Sequence, residues 1–393
     1  MDLGAIQGAL REAEVDGWLF YDFHNRDPIA YSVLGLDMKG LASRRWFYFI
    51  PANGEPTKLA HSVEPHKLDS LPGRTIRYRA WKELHAHLRS MLSGSGRIAM
   101  QYSPMGNIPY VATVDAGTIE LVRASGPEVV SSAGLVQRFE AVADESGLAS
   151  HRTAGEKIQR IKDEAYARMD RALRDGTAIT EAEVRDFILQ RFAEEGMTSD
   201  GASPIVGFND HPADPHFEPT PENAYTLKSG DTILIDLWAR LENDTAFYYD
   251  VTWCGYAGSE PPEEYGRIWS VACDARDAAL ELVRTRFGKG DLHGWEIDEA
   301  CRAVVERAGY GDAFVHRTGH SIGHEVHGNG ANIDNLETRD DRLLVPGLCF
   351  SVEPGIYLEG RMAVRTEIDV FLTPSGDVEV VGPIQKDLIR IGV

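Results

Sequence analysis

Paired cysteines, an excess of bases and long apolar runs are all missing from this chain, and each absence narrows what it can be. Its four cysteines, Cys254, Cys273, Cys301 and Cys349, stand singly with no C-x-x-C pair, which argues against a disulfide framework. Bases number 40 against 61 acids, and a net charge of −21 repels a phosphate backbone or an anionic membrane. No run approaches the ~18 apolar residues of a membrane span, and Met1-Asp2-Leu3-Gly4 has no basic region before an apolar core. No phosphate-binding glycine fingerprint follows the strands expected in the first 125 residues, and Gly94-Ser95-Gly96 precedes a strand instead of opening a helix, which excludes a nucleotide-phosphate loop there. The expectation is a reduced, cytoplasmic protein with no nucleic-acid and no membrane partner.

What is present suggests two domains. At 393 residues with 43% hydrophobic content, the chain is too long for one ordinary domain and has apolar residues enough for two cores. Residues 1–125 read as a small α/β domain: an amphipathic opening from Leu3 to Val15, apolar strands at 17–21 and 46–50, further strands at 75–78, 97–100 and 118–122, and a helix from Trp81 to Leu92. A Ser-, Ala- and Gly-rich linker at 125–134 opens the second domain, 126–393. Helices are expected there at 156–173, 181–195, 261–286 and 295–308, with strands at 203–208, 232–238, 247–256, 348–353, 362–372 and 377–381. Strand runs interrupted by helix pairs indicate α+β with an antiparallel sheet.

Five potential metal ligands stand out in the second domain. Asp236 and Asp250 lie inside apolar, β-branched runs that should be buried, where a bare carboxylate is costly. Glu353 ends a strand at Pro354-Gly355, and Glu367 shares the Arg365/Asp369 face of the 362–372 segment. His320 sits in a glycine-rich run that also carries His324 and His327. If the four acids converge, each pair at ~4 Å repels by about 4 kcal/mol at an effective dielectric of ~20, and two divalent cations cancel the cluster. A zinc-protease helix is excluded, because His324 and His327 are three apart rather than four and glycines interrupt the segment.

The segments Ile235-Asp236-Leu237, Asp250-Val251-Thr252, Thr318-Gly319-His320-Ser321-Ile322-Gly323, Val352-Glu353-Pro354-Gly355-Ile356-Tyr357 and Val364-Arg365-Thr366-Glu367 resemble, in order, the five signature blocks of the pita-bread metallopeptidases. That family includes prolidases, Xaa-Pro aminopeptidases and methionine aminopeptidases. The resemblance covers about residues 150–393. The preceding domain is similar to the N-terminal domain of the prolidase and creatinase branch. The resemblance implies that Asp236, Asp250, His320, Glu353 and Glu367 ligate two divalent ions, manganese foremost and cobalt or zinc otherwise, with Asp250 and Glu367 bridging. It implies a shared hydroxide that attacks the scissile carbonyl, Glu353 as proton shuttle, His327 stabilising the tetrahedral intermediate, and His216 contacting substrate near the scissile bond. By the same likeness the protein is an Xaa-Pro dipeptidase and a homodimer, with His24-Asn25-Arg26 reaching toward a neighbour's site.

Three features depart from the family pattern. Asp236 and Asp250 are 14 residues apart, which lengthens the hairpin between them. Phe247 and Trp253 stand where Tyr and Arg are usual, which bears on hydrogen bonding around the ligands and on substrate contacts. His324 replaces a residue that is more often apolar, and nothing in the sequence gives it a role. The alternatives are an aminopeptidase acting on longer Xaa-Pro peptides, a creatinase-like amidinohydrolase, and a binding protein that has kept the fold.

Overall fold

The computed structural model describes residues 1–243 and 245–393. It divides into two compact units, Met1–Glu140 and Ala141–Val393.

In the first unit, β1 (Gly17–Asp22), β2 (Trp46–Pro51), β3 (Thr57–His61), β4 (Arg74–Tyr78), β5 (Arg97–Met100) and β6 (Glu128–Ser131) form one mixed sheet ordered β4-β3-β2-β1-β5-β6. Trp18, Phe20, Trp46 and Tyr48 pack on one face, while Leu19, Tyr21, Phe47 and Phe49 pack on the other. Both faces are covered by helices, which is why these strands read as unbroken apolar runs. The helices are α1 (Leu3–Glu12), α2 (Pro28–Leu34), α3 (Trp81–Met91), α4 (Ala116–Arg123) and the short α5 (Ala133–Val136). Two expectations change. Residues 118–122 are helical: Asp115 caps α4 by accepting from Thr118 N at 2.9 Å, and Thr118, Ile119 and Val122 bury one helical face. The supposed linker carries β6, which pairs in parallel with β5, so the compact unit extends to Glu140.

Asp27, the N-cap of α2, is buried at 1% exposure and its pKa is pushed up to about 7, chiefly by burial, against the opposing Ala30 N–H and Thr113 hydroxyl. The folded form therefore holds its proton more tightly than the unfolded chain. The resulting penalty is complete above pH 7 and is relieved as pH falls from 7 toward 4. Asp27→Asn, which keeps the capping oxygen, should raise the melting temperature at pH 8. The gain should shrink toward pH 5, and an equal gain at both pH values would contradict a buried charge as its source.

In the second unit, β7 (Met197–Thr198), β8 (Ile205–Phe208), β9 (Thr232–Leu241), β10 (Tyr249–Ala257), β11 (Ser321–Ile322), β12 (Cys349–Val352), β13 (Gly355–Leu358), β14 (Met362–Arg365), β15 (Ile368–Leu372), β16 (Val378–Val380) and β17 (Ile389–Ile391) build three sheets. One is ordered β17-β10-β9-β7 with β8 also on β9, the second β11-β12-β15-β16, and the third is the β13-β14 hairpin. All pairings are antiparallel except β10 with β17. Two helix pairs flank them: α6 (Glu145–Asp175) with α7 (Glu181–Glu194), and α8 (Glu263–Arg286) with α9 (Gly294–Arg307). Ile233, Ile235 and Leu237 of β9 join the α6/α7 core, and Leu234 joins the α8/α9 core. This is the expected α+β class. Residues 362–372 are not one strand, however. The chain leaves the hairpin after Arg365 and enters another sheet at Ile368, and between them Glu367 N turns to Thr252 O at 3.3 Å. The face alternation expected across this segment is broken there, so Thr366 and Glu367 are both buried. No helix among the described residues is long and apolar enough to cross a membrane.

Candidate metal centre and its cavity

Strand register assembles the first part of the site. Asp236 on β9 pairs with Thr252 on β10, and Asp250 lies two residues from Thr252, so all three side chains share a face. Glu353 and Glu367 come from junctions where the chain passes between sheets, β12 to β13 and β14 to β15. His320 precedes β11, its N–H donating to Ser351 Oγ at 2.9 Å. Gly319 makes this approach feasible, because a Cβ there would lie 1.9 Å from Ser351 O. With His320 Nδ1 3.2 Å from Ser321 O, Nε2 turns toward the acids.

Asp250, His320 and Glu367 offer ligand atoms within 4.8 Å of one another, all buried. His320 Nε2 lies 3.7 Å from Asp250 Oδ2 and 3.4 Å from Glu353 Oε1, and Glu353 Oε1 also accepts from Ser351 Oγ at 3.0 Å. Asp236 Oδ2 is taken by an ion pair to Arg365 Nη2. His327 stacks edge-on against His320 with ring centres 4.3 Å apart. His216, His316, His320, His327, Glu353 and Pro215 are among the residues lining a cavity of about 420 Å³, a size that suits a small peptide.

The electrostatics follow from burial. Asp250 and Glu367 are held well above the usual carboxylate range, first by desolvation and then by neighbouring acids. Asp236 is raised as well, with Arg365 pulling the other way. Burial lowers His320 to about 3, with Arg317 adding to it, and the same value for His327 comes first from His320 beside it. Both rings are neutral near pH 7, the form in which imidazole ligates a cation or donates one hydrogen bond. Asp236 Oδ1 and Asp250 Oδ1 are buried with no hydrogen-bond partner among the described residues. Buried, unpartnered carboxylate oxygens beside a neutral imidazole are the donor set a divalent cation requires.

Several contributors went unremarked in the sequence. Arg365 donates to Thr252 Oγ1 at 2.9 Å and to Tyr357 OH at 3.2 Å besides pairing with Asp236, and Thr252 Oγ1 donates to Glu367 Oε2 at 2.7 Å. His316 Nε2 lies 2.8 Å from the same Tyr357 hydroxyl. Behind the site, Asp369 Oδ2 accepts Asp250 N at 2.8 Å and lies 3.7 Å from Nε2 of the fully buried His151. Arg365 and Asp369 stand on different strands either side of the break at Thr366–Glu367, so only the fold brings them to the site; for Thr252 the signal was period two, two residues from Asp250 on one strand. The same parity corrects the reading of Trp253. It opposes Ile235, faces α6, and carries Lys162 Nζ 3.3 Å above its ring, so it does not share the acids' face. Phe247 is packed in an apolar cluster with Leu148, Ile322 and Phe371, and His324 sits edge-on against it at 4.7 Å. His324 thus fills a packing position.

The model of metallopeptidase family M24 matches residues 154–374. A protein of Mycobacterium tuberculosis described as a probable dipeptidase PepE is 30% identical over 336 residues, covering 84% of this chain and 82% of the relative. Among solved structures, dipeptidase PepE of Mycobacterium ulcerans is 25% identical with a TM-score of 0.71, covering 99% of this chain and 96% of that one. An Xaa-Pro dipeptidase of Bacillus anthracis is 22% identical with a TM-score of 0.62 and covers 99% of each chain, a likeness of fold. The architecture is the pita-bread fold.

Proposed function

Because this chain belongs to metallopeptidase family M24, and is accordingly a peptidase dependent on divalent metal, we propose that it is a two-metal exopeptidase hydrolysing Xaa-Pro dipeptides. The observation that carries this reading is the convergence of Asp250, His320 and Glu367 within 4.8 Å, all buried. Asp250, His320, Glu353 and Glu367, with Asp236 through its unpartnered oxygen, would hold two ions, manganese before cobalt or zinc. Bound there, they would supply Lewis-acid polarisation of a scissile carbonyl and acidification of a water.

The chain's own residues supply the rest. Glu353, oriented by the Ser351 hydroxyl and 3.4 Å from His320 Nε2, holds and passes the proton. His327, a neutral imidazole in the cavity, donates to the developing oxyanion. His216, on the same wall, orients the peptide near its scissile bond. Arg365 fixes Asp236 and, through Thr252, Glu367. The first unit is read as the creatinase-type N-terminal domain, and the working form as a homodimer. Four cysteines that are all unpaired fit a reducing cytoplasm.

The test is a panel of Xaa-Pro dipeptides, Xaa-Pro-Xaa tripeptides and Xaa-Ala controls, assayed with manganese, cobalt and zinc in turn. Xaa-Pro dipeptides should turn over fastest. Preference for tripeptides would shift the assignment to an Xaa-Pro aminopeptidase. No cleavage of any Xaa-Pro peptide by protein carrying two ions would remove the proposal altogether.

A further inference from the structure

The chain from 209 to 226 brings Pro215 and His216 to the cavity wall, and a single carboxylate away from that wall ties down both its ends. Glu181, the first residue of α7, has a side chain of 0% exposure. It accepts Phe208 N at 2.5 Å where the loop begins and Tyr225 N at 2.7 Å where it closes. Both of its oxygens lie 2.9 Å from His211 Nδ1, within the loop. The His211 ring stacks in turn on Tyr225, with centres 3.7 Å apart, and on Phe217 at 4.1 Å. Phe217 adjoins His216, so the stack sets the backbone from which His216 projects. A desolvated carboxylate needs donors on its lone pairs, and here two loop termini and one loop side chain provide them.

We infer that His211 is a positioning residue for the peptidase reaction: held by Glu181 and stacked on Phe217, it fixes the 209–226 loop so that His216 faces the scissile bond. The inference rests on the peptidase reading for its consequence and on the clasp geometry for its cause. His211 acts through His216, and the experiment must separate that from general damage.

His211→Ala should lower kcat/KM on an Xaa-Pro dipeptide by about 10- to 100-fold, the scale of misplacing a group by an ångström. Metal content should not change. In a His216→Ala background the same substitution should cost less than about twofold, because residues that act as one unit are not additive. His211→Phe, which keeps the stacked ring but loses the N–H, should recover part of the loss. Equal losses in both backgrounds, or no loss in either, would overturn the inference. A second readout is independent of turnover. Amide hydrogen exchange across 209–226 should quicken about tenfold or more in His211→Ala while α7 stays protected. An unchanged loop would dismiss the clasp, even if the metal-loaded parent proved inactive on peptides and so sank the peptidase reading on its own.

Discussion

Asp250→Asn and Glu367→Gln should each lose bound metal and lower turnover by more than the ~10- to 100-fold typical of residues that only support ligands. Each acid is buried, and each is one of the trio whose ligand atoms lie within 4.8 Å. A neutral amide offers a cation dipole without charge. Thr252→Val provides the internal contrast: it removes the 2.7 Å hydroxyl donor to Glu367 and leaves every candidate ligand in place, so its loss should stay within the supporting range. The stability readout runs the opposite way. In metal-free protein Asp250→Asn removes one of several mutually repelling buried carboxylates, and it should melt above metal-free parent. A variant at Asp250 that keeps both ions and a tenth of parental turnover would remove that residue from the ligand set.

Stripping metal from the intact protein should abolish activity and lower the melting temperature by about 5–10 °C. The figure combines the ~2.7 kcal/mol contributed by a ligand at a hundredfold its dissociation constant with a shift of about 2–4 °C per kcal/mol. The pH dependence of the stripped protein distinguishes a buried acid cluster from a simple ligand effect. Burial raises the folded-state pKa values of Asp236, Asp250 and Glu367, so the folded form binds more protons than the unfolded one. The cost is full above the raised values and is lost as pH falls to the ordinary carboxylate range. Stripped protein should therefore gain stability on mild acidification, whereas loaded protein should lose it as protons compete with metal. Parallel pH profiles would be inconsistent with an uncompensated cluster, and differential scanning fluorimetry with and without chelator measures both.

The candidate ligands Asp236 and Asp250 were legible in the sequence because an acid buried in a β-branched run is a conflict that only pairing or coordination resolves. His320, Glu353 and Glu367 carry weaker signals taken singly, and it was the resemblance of the five segments in order that gathered them into one candidate set. The strand at 118–122 was misread because Thr118-Ile-Glu-Leu-Val122 satisfies both periods over so short a run, and the cap at Asp115 decided for helix. Linker-like composition at 125–134 concealed β6 because Ser, Ala and Gly suit a loop, while Val129 and Val130 supply the strand. The break at Thr366–Glu367 lay beyond reach, since periodicity within one segment carries no information about which sheet it joins. Trp253 is a different case: its odd offset from Asp250 already placed it on the far face of β10, and expectation carried over from relatives obscured that parity. Arg365 was visible as a residue, but its role depends on Asp236 lying across a contact with no sequence proximity.

The hairpin β13–β14 closes directly on two carboxylates, with Glu353 and Pro354 before it and Thr366 and Glu367 after it. Its ladder pairs Gly355 with Arg365, and because Gly355 has no side chain the Tyr357 ring folds back over it to meet the guanidinium. The hairpin is in effect a caliper whose jaws are the two glutamates and whose setting is the strand register. Extra residues at its tip, around 359–361, leave the jaws where they are. A one-residue slip along the ladder instead turns Arg365 away from Asp236 and changes the gap between the glutamates at once. Variation in this segment should therefore accumulate at the tip and be refused along the arms, although none of the arm residues from Ile356 to Val364 is a candidate ligand.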